Sequence, residues 1–190
     1  TVNGQSFQFV VITPQFIQNM LSHIPTAAEV DEVVTYAVQH YRIDTSRIYV
    51  IGSSQGAGAV WNYVGESPVY ARRIAAVIPF AGVSWPIEEK ANIIKYSAVA
   101  VWGFHNLNDE SVPAYFTQNY IDFINESPTP PVEARKTIFN ASGHLCWYDP
   151  LERIYTEGGL NVYQWLLQFQ KNFTKAHAGY YQEITLPTNS

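Results

Sequence analysis

The stretch "IGSSQGAGAVW", Ile51 to Trp61, crowds glycines and serines between an apolar run and a helix-like segment. Within it lies Gly52-Ser53-Ser54-Gln55-Gly56, a G-x-S-x-G pattern. "RIYVIG" ahead of it, Arg47 to Gly52, reads as a strand, and Gln55 to Val64 reads as a helix. A strand that reverses into a helix this abruptly makes a strained turn. Glycines on either side leave the backbone room to fold back and lift the central serine into the open. Ser54 is then the presented hydroxyl, whereas Ser53 lies before the apex and is not symmetrically flanked. The Gln55 amide falls in the first helical turn, where amides lack intrahelical acceptors, and is the expected donor to an oxyanion. The plain alternative is a glycine-rich turn with an incidental serine.

The same alternation runs along the chain. "FQFVVITP" reads as a buried strand over Gln8 to Thr13, ended by Pro14. "TAAE", Thr26 to Glu29, has capping-box spacing, and the helix after it carries Val30, Val33, Val34, Ala37, Val38 and Tyr41 on one stripe. "IAAVIPF" from Ile74, "SAVAVWGF" from Ser97 and "RKTIFNA" from Arg135 are further strands. Helices are expected over Val112 to Ile124, with Pro113 in the first turn, and over Leu160 to Phe173, after Gly158 and Gly159. Short apolar strands alternating with helices imply a mostly parallel sheet covered on both faces, an α/β three-layer α/β/α sandwich. Residues 1–190 are expected to form a single domain, with a weakly held tail after about Ala176.

Composition removes several function classes. Charged residues make up 14% of the chain and the formal net charge is −5. A nucleic-acid binder needs a clustered basic face, and "ARR" at Ala71 to Arg73 is too small to be one. No apolar run approaches the roughly 18–20 residues of a membrane span. Thr1 opens on polar residues and then a strand-like run, as expected of a processed or excised end. The single cysteine, Cys146, cannot form an internal disulfide.

A nucleophilic serine needs a base to take its proton, and the base needs an acid to fix its tautomer. In a fold of this type the chain order is serine, acid, histidine. After Ser54 the histidines are His105, His144 and His177. His105 lies too near its own strand end to follow an acid there, and His177 falls in the tail. His144, in "NASGHLCW" directly after the last strand, is the expected base. The acid is expected in "VWGFHNLNDESVP", where Asp109 is favoured over Glu110 because a shorter side chain orients an imidazole better. The alternative for Asp109 is a cap on the helix beginning near Val112.

These segments together resemble the carboxyl-terminal portion of an α/β-hydrolase, of the esterase, polyhydroxybutyrate-depolymerase-like and phospholipase/carboxylesterase branch. "YRIDTSRIYVIGSSQGAGAVW" is similar to the family's nucleophile elbow, "VAVWGFHNLNDESVP" to its acid segment and "GHLCWYDP" to its histidine segment. The resemblance runs from about Phe9 to Leu167. It implies Ser54 as nucleophile, His144 as general base and then acid, and Asp109 as the orienting carboxylate. The chain departs from the family at Asn106, where a glycine is usual, and at Ala57, where many relatives carry a second glycine. Relatives also begin with about three more strands, and the loop after the third supplies a second oxyanion amide. The expectation is that upstream sequence or a second chain completes the sheet. Alternatively the first strand serves as the family's third, making Gln15 or Phe16 the donor, a contribution worth about 3–4 kcal/mol.

The reading is a serine hydrolase of carboxylic esters, with small-molecule or polymer-linked esters, such as acylated carbohydrates or polyesters, as substrates. A peptidase of the same fold and an inactive binding module that keeps the elbow are the alternatives. Trp61, Trp102 and Trp165 are expected in the core, whereas Gln15, Trp85 and Trp147 are candidates to line a substrate pocket. Cys146 is expected to be an apolar filler, and Glu88 and Glu89 a solvated helix face. His23 and His40 have no metal-ligand spacing, so neither a metal nor another cofactor is expected. Low charge and abundant aromatic residues fit an extracellular or periplasmic setting.

Overall fold

Each strand of the chain is followed by helical sequence, so successive strands run in the same direction and meet only through crossovers. The computed structural model describes residues 4, 6–16, 24–126 and 128–171. Its sheet has four strands, β1 (Tyr49–Ser53), β2 (Ala76–Phe80), β3 (Ala100–Asn108) and β4 (Arg135–Ser142), parallel throughout and ordered as in the chain. Strand β2 is buried at all five positions, as a central strand covered on both faces must be.

Alternate strand residues feed two cores. Val77 and Val101 face a layer made by α1 (Ala27–His40), α2 (Gln55–Glu66), α4 (Glu88–Tyr96) and α5 (Tyr115–Asn125), which contributes Trp61, Ile94, Tyr120 and Ile124. Ile78, Phe80, Trp102 and Phe104 face the opposite layer, where α7 (Val162–Leu166) brings Val162, Trp165 and Leu166, and Leu151 of α6 (Tyr148–Leu151) packs at its margin. Each such buried side chain contributes about 1.5–3 kcal/mol of apolar transfer free energy, so both layers are needed to hold the sheet. A short helix, α3 (Pro68–Ala71), follows α2, with Ser67 as its cap and Pro68 in its first turn.

The capping box at α1 forms as its spacing requires: Thr26 Oγ1 accepts from the Glu29 amide at 3.3 Å and Glu29 Oε2 accepts from the Thr26 amide at 2.7 Å. The apolar stripe of α1 is only half used. Ala27, Val30 and Val34 are buried, whereas Val38 and Tyr41 are exposed because the helix runs past the edge of the core. The expected closing helix is likewise shorter, Val162–Leu166, and starts from an Asn161 capping box rather than at the glycines.

The strand expected at Gln8 to Thr13 does not form. The contacts of residues 6–16 with β1 and the residues before it are made by side chains: Phe9 packs edge-on to Tyr49 at 6.3 Å, and the Arg47 guanidinium sits 5.2 Å above Phe7. Val10 and Val11 remain 52% and 79% exposed. An apolar run becomes a strand only where a neighbour supplies a ladder, and none is formed here.

The start of α2 approaches the loop after β2 so closely that a Cβ on Gly58 would lie 2.4 Å from the Val83 carbonyl oxygen. Gly58→Ala is therefore expected to destabilise the fold by about 1–3 kcal/mol, read as a lowered urea midpoint with an unchanged m-value.

Candidate functional site

Strand β1 ends at Ser53, and Ser54 turns the chain into α2 with φ 53° and ψ −116°, a region that costs a non-glycine residue about 1–3 kcal/mol. The turn is fixed by backbone. Ser54 N donates to Phe80 O at 2.9 Å, and Ser54 O accepts from Gly58 N at 2.9 Å and from Val83 N at 3.1 Å. The two flanking glycines have different roles. A Cβ on Gly52 would lie 2.4 Å from Gly56 O, so only glycine fits there, whereas a Cβ on Gly56 would meet open space. The expectation that both glycines are sterically needed is thus corrected: the space-limited position is Gly52.

Ser54 Oγ lies 2.8 Å from His144 Nε2, and His144 Nδ1 lies 2.6 Å from Asp109 Oδ2. Strand β4 stops at Ser142, and Gly143, at φ 87°, turns the chain so that His144 faces back toward β1. Two bonds tie this turn to β3: Asn106 Nδ2 donates to Gly143 O at 2.8 Å, and Gly143 N donates to Asn108 O at 3.2 Å. Asn106 thus remains in the strand and spends its amide on holding the histidine turn. Beneath it Cys146 is buried against the second core with its thiol pushed up to about 12, first by desolvation, as a filler rather than a nucleophile.

The Asp109 side chain is fully buried and makes both of the bonds foreseen as alternatives. Its Oδ1 accepts from the amides of Ser111 at 2.8 Å and Val112 at 3.0 Å, closing the turn before α5, while Oδ2 faces His144. Burial pushes this carboxyl upward, but the bonds from His144, Val112 and Ser111 outweigh it and hold the group below its ordinary value. Asp109 is therefore ionised and only accepts, so His144 Nδ1 carries the proton and Nε2 presents its lone pair to the Ser54 hydroxyl. Glu110 is exposed and stands outside this chain of bonds.

Gln55 is the first residue of α2, so its amide lies where the helix offers no intrahelical acceptor and its dipole favours negative charge. The Trp147 ring sits edge-on to the His144 ring at 5.4 Å. Trp85, 63% exposed, belongs to a separate aromatic group with Tyr115 at 6.0 Å and Phe116 at 5.3 Å. Gln15 is exposed, and no hydrogen bond among the described residues joins Gln15 or Phe16 to Ser54. His23 and His177 lie outside the described residues, and His40 stacks on Tyr36 at 4.0 Å. Among the described residues no cluster of His, Cys, Asp or Glu is arranged to hold a metal. Concavities lined by Asn125, Arg135 and Trp165, and by Thr26, Asn62 and Lys90, do not include Ser54 and bring no nucleophile to a base.

One contact is missing from the sequence reading. His105, fully buried on β3, places Nε2 3.3 Å from Asp109 Oδ2 and 3.0 Å from Val112 O, and Nδ1 2.8 Å from Thr117 Oγ1. The i, i+4 spacing of His105 and Asp109 was the available signal, but an extended strand followed by a turn does not predict that contact.

Sheet and site together define an α/β-hydrolase fold. The chain belongs to the phospholipase/carboxylesterase family, whose profile matches residues 3–157. It is thus a member of a hydrolase family that includes carboxylesterases. A thermostable esterase of known structure is 23% identical, with a TM-score of 0.61 over 75% of this chain and 36% of that one. A variant of Arabidopsis thaliana SOBER1 is 16% identical, with a TM-score of 0.50 over 62% of this chain and 54% of that one. This chain accordingly spans between about a third and just over half of the length of these two structures. At such identities the likeness is one of fold. No curated protein sequence matches significantly.

Two measurements check the geometry. Gly52→Ala should abolish the turn and with it Ser54-dependent reactivity, while Gly56→Ala should retain both native reactivity and thermal stability. The Asp109 carboxyl has a depressed folded pKa, so its stabilising contribution is present above the ordinary carboxylate value of about 3.9 and is lost as pH falls through the folded value. The gap in unfolding free energy between the parent and Asp109→Asn should therefore be constant above about pH 4 and narrow progressively as pH falls below it.

Proposed function

We propose that this chain hydrolyses carboxylic esters through a covalent acyl-enzyme, with Ser54 as nucleophile, His144 as general base and acid, and Asp109 as the carboxylate that fixes His144. The observation that carries this reading is the unbroken run of hydrogen bonds from Ser54 Oγ to His144 Nε2, at 2.8 Å, and from His144 Nδ1 to Asp109 Oδ2, at 2.6 Å. Those distances lie within the reach required of a nucleophile, a base and the group that orients the base.

As Ser54 Oγ bonds to the ester carbonyl carbon, its proton passes to His144 Nε2 and the carbonyl oxygen becomes an oxyanion at the amide end of α2, where Gln55 donates. Collapse of this intermediate breaks the carbon–oxygen bond to the alcohol, which leaves with the proton from His144. A water then gives its proton to His144 and attacks the acyl carbon; the bond from that carbon to Ser54 Oγ breaks as Oγ takes the proton back from His144, and the acid is released. The imidazolium formed at each stage faces the buried Asp109 carboxylate, where a low local dielectric strengthens the attraction.

The residues next to His144 support a substrate class. Trp147 borders His144 directly, and its neighbours Leu145 and Tyr148 are each more than half exposed. Apolar and aromatic surface of this kind suits the acyl group or sugar face of a polymer-linked ester better than a charged substrate.

A fluorophosphonate probe should label the parent chain and leave Ser54→Ala unlabelled. On p-nitrophenyl acetate, Ser54→Ala and His144→Ala should each lose about 10⁴-fold or more in kcat. Absence of labelling in a folded chain would count against the enzyme reading and favour a binding module, while turnover of peptide anilides but not of the ester would favour a peptidase.

A further inference from the structure

His105 is a second histidine at the acid, and it is the one that does not reach the serine. Its three polar neighbours determine its state. Val112 O is a carbonyl and Asp109 Oδ2 belongs to an ionised carboxylate, so both are acceptors and Nε2 must carry a proton. Desolvation, as the largest effect, lowers the imidazole's pKa and so favours the neutral ring; Nδ1 is then an acceptor for the Thr117 hydroxyl. The His105 side chain is fully buried, and each of its nitrogens has a partner.

That arrangement is built by close packing. Gly103, two residues earlier on β3, admits α5 so closely that a Cβ on it would lie 2.7 Å from Thr117 Cγ2. The same approach sets the Thr117 hydroxyl against His105 Nδ1, fixing the ring from the far side. With Thr117 held by α5 and His105 by β3, the Nε2–H vector is aimed at the turn that carries Asp109.

We propose that His105 is a positioning residue, whose Nε2–H, bonded to Val112 O and lying against Asp109 Oδ2, sets the carboxylate in the orientation that holds His144. The Asp109 carboxylate then has donors on both oxygens, the amides of Ser111 and Val112 on Oδ1 and the His144 imidazole on Oδ2, and His105 Nε2 lies against Oδ2 at the longer distance of 3.3 Å. The backbone amides alone fix the position of Oδ1 and leave the carboxylate free to rotate about it. The contact on Oδ2 removes that freedom, and it comes from a rigid strand rather than from the loop itself. The bond from the same Nε2–H to Val112 O joins the ring to the residue whose amide caps Oδ1, so the acid turn is clamped from both ends.

This inference rests on the ester-hydrolase reading, and two variants separate its contacts. His105→Gln places an amide donor near the position of Nε2 and keeps the reach to Asp109. His105→Asn places its amide near Nδ1, keeping the Thr117 side but not Asp109. The expected result is that His105→Asn loses about tenfold to a hundredfold in kcat with KM within about twofold, and that His105→Gln recovers most of the loss. Ring-nitrogen-labelled protein gives a readout independent of turnover: the low-field proton shared by His144 Nδ1 and Asp109 should broaden or vanish in His105→Asn and persist in His105→Gln. These spectra are recorded in a Ser54→Ala background, so a parent without esterase activity would defeat the hydrolase reading and leave the positioning test intact. A folded His105→Asn with parental kcat and an unchanged low-field proton, or a His105→Gln no better than His105→Asn in both readouts, would overturn the inference.

Discussion

The site depends on how the backbone of Ser54 is held in a conformation it would not adopt alone. Its strain of about 1–3 kcal/mol is matched by three backbone bonds, to Phe80, Gly58 and Val83, each with a net contribution of about 0.5–1.5 kcal/mol. The same device recurs along the carboxyl edge of the sheet. Ser54 N reaches Phe80 O at the end of β2, Ala81 N reaches Phe104 O in β3, and Gly143 N reaches Asn108 O at the end of β3. Adjacent strand exits are tied together, so the loops leave the sheet from fixed points. Ala81, like Ser54, has positive φ just past a strand end, and buried layers on both faces hold these two turns in place.

At Asp109 the turn-capping bonds and the proposed pairing with His144 do not compete. Its Oδ1 caps a turn and its Oδ2 faces an imidazole. The cap is what permits the pairing, because a carboxylate buried without donors would be costly to keep ionised. Asn106 makes a similar point. A glycine at this position would leave the Gly143 carbonyl without its side-chain partner, and here the amide takes over the task of fixing the histidine turn.

Most of the sheet was legible because its signal is local. Strands β1 to β3 open on apolar runs, β4 has an Ile-Phe pair at its centre, α1 announces itself by Thr26 and Glu29, and the order Ser54, Asp109, His144 needs only the rule that loops collect at strand ends. What was misread required knowledge of neighbours. Gln8 to Thr13 has strand-like composition, yet β1 offers it only side-chain contact. Val38 and Tyr41 continue a helical stripe past the point where there is a core to cover. Gly56 matches the elbow pattern, but only Gly52 faces backbone that excludes a Cβ. The shift in register between Asn106 and Asn108 has no composition signal, and it separates the strand that carries His105 from the turn that carries Asp109.

Two histidines meet one carboxylate oxygen, and residue type alone cannot say which of them faces the serine. Topology distinguishes them. His105 lies within β3, where register and the packing of α5 leave its ring no exposed edge, so it can hold a partner but cannot meet a substrate. His144 lies beyond the end of β4, after a glycine in the left-handed region, and its side chain is 19% exposed. A residue inside a strand gains rigidity and loses access, and a residue just past its end gains access only if something else supplies rigidity. For His144 that something is Asp109, and for Asp109 it is a turn backed by a strand. His144 is thus the member of the hydrogen-bond chain least fixed by its own backbone, and its order is borrowed, one contact at a time, from the sheet below it.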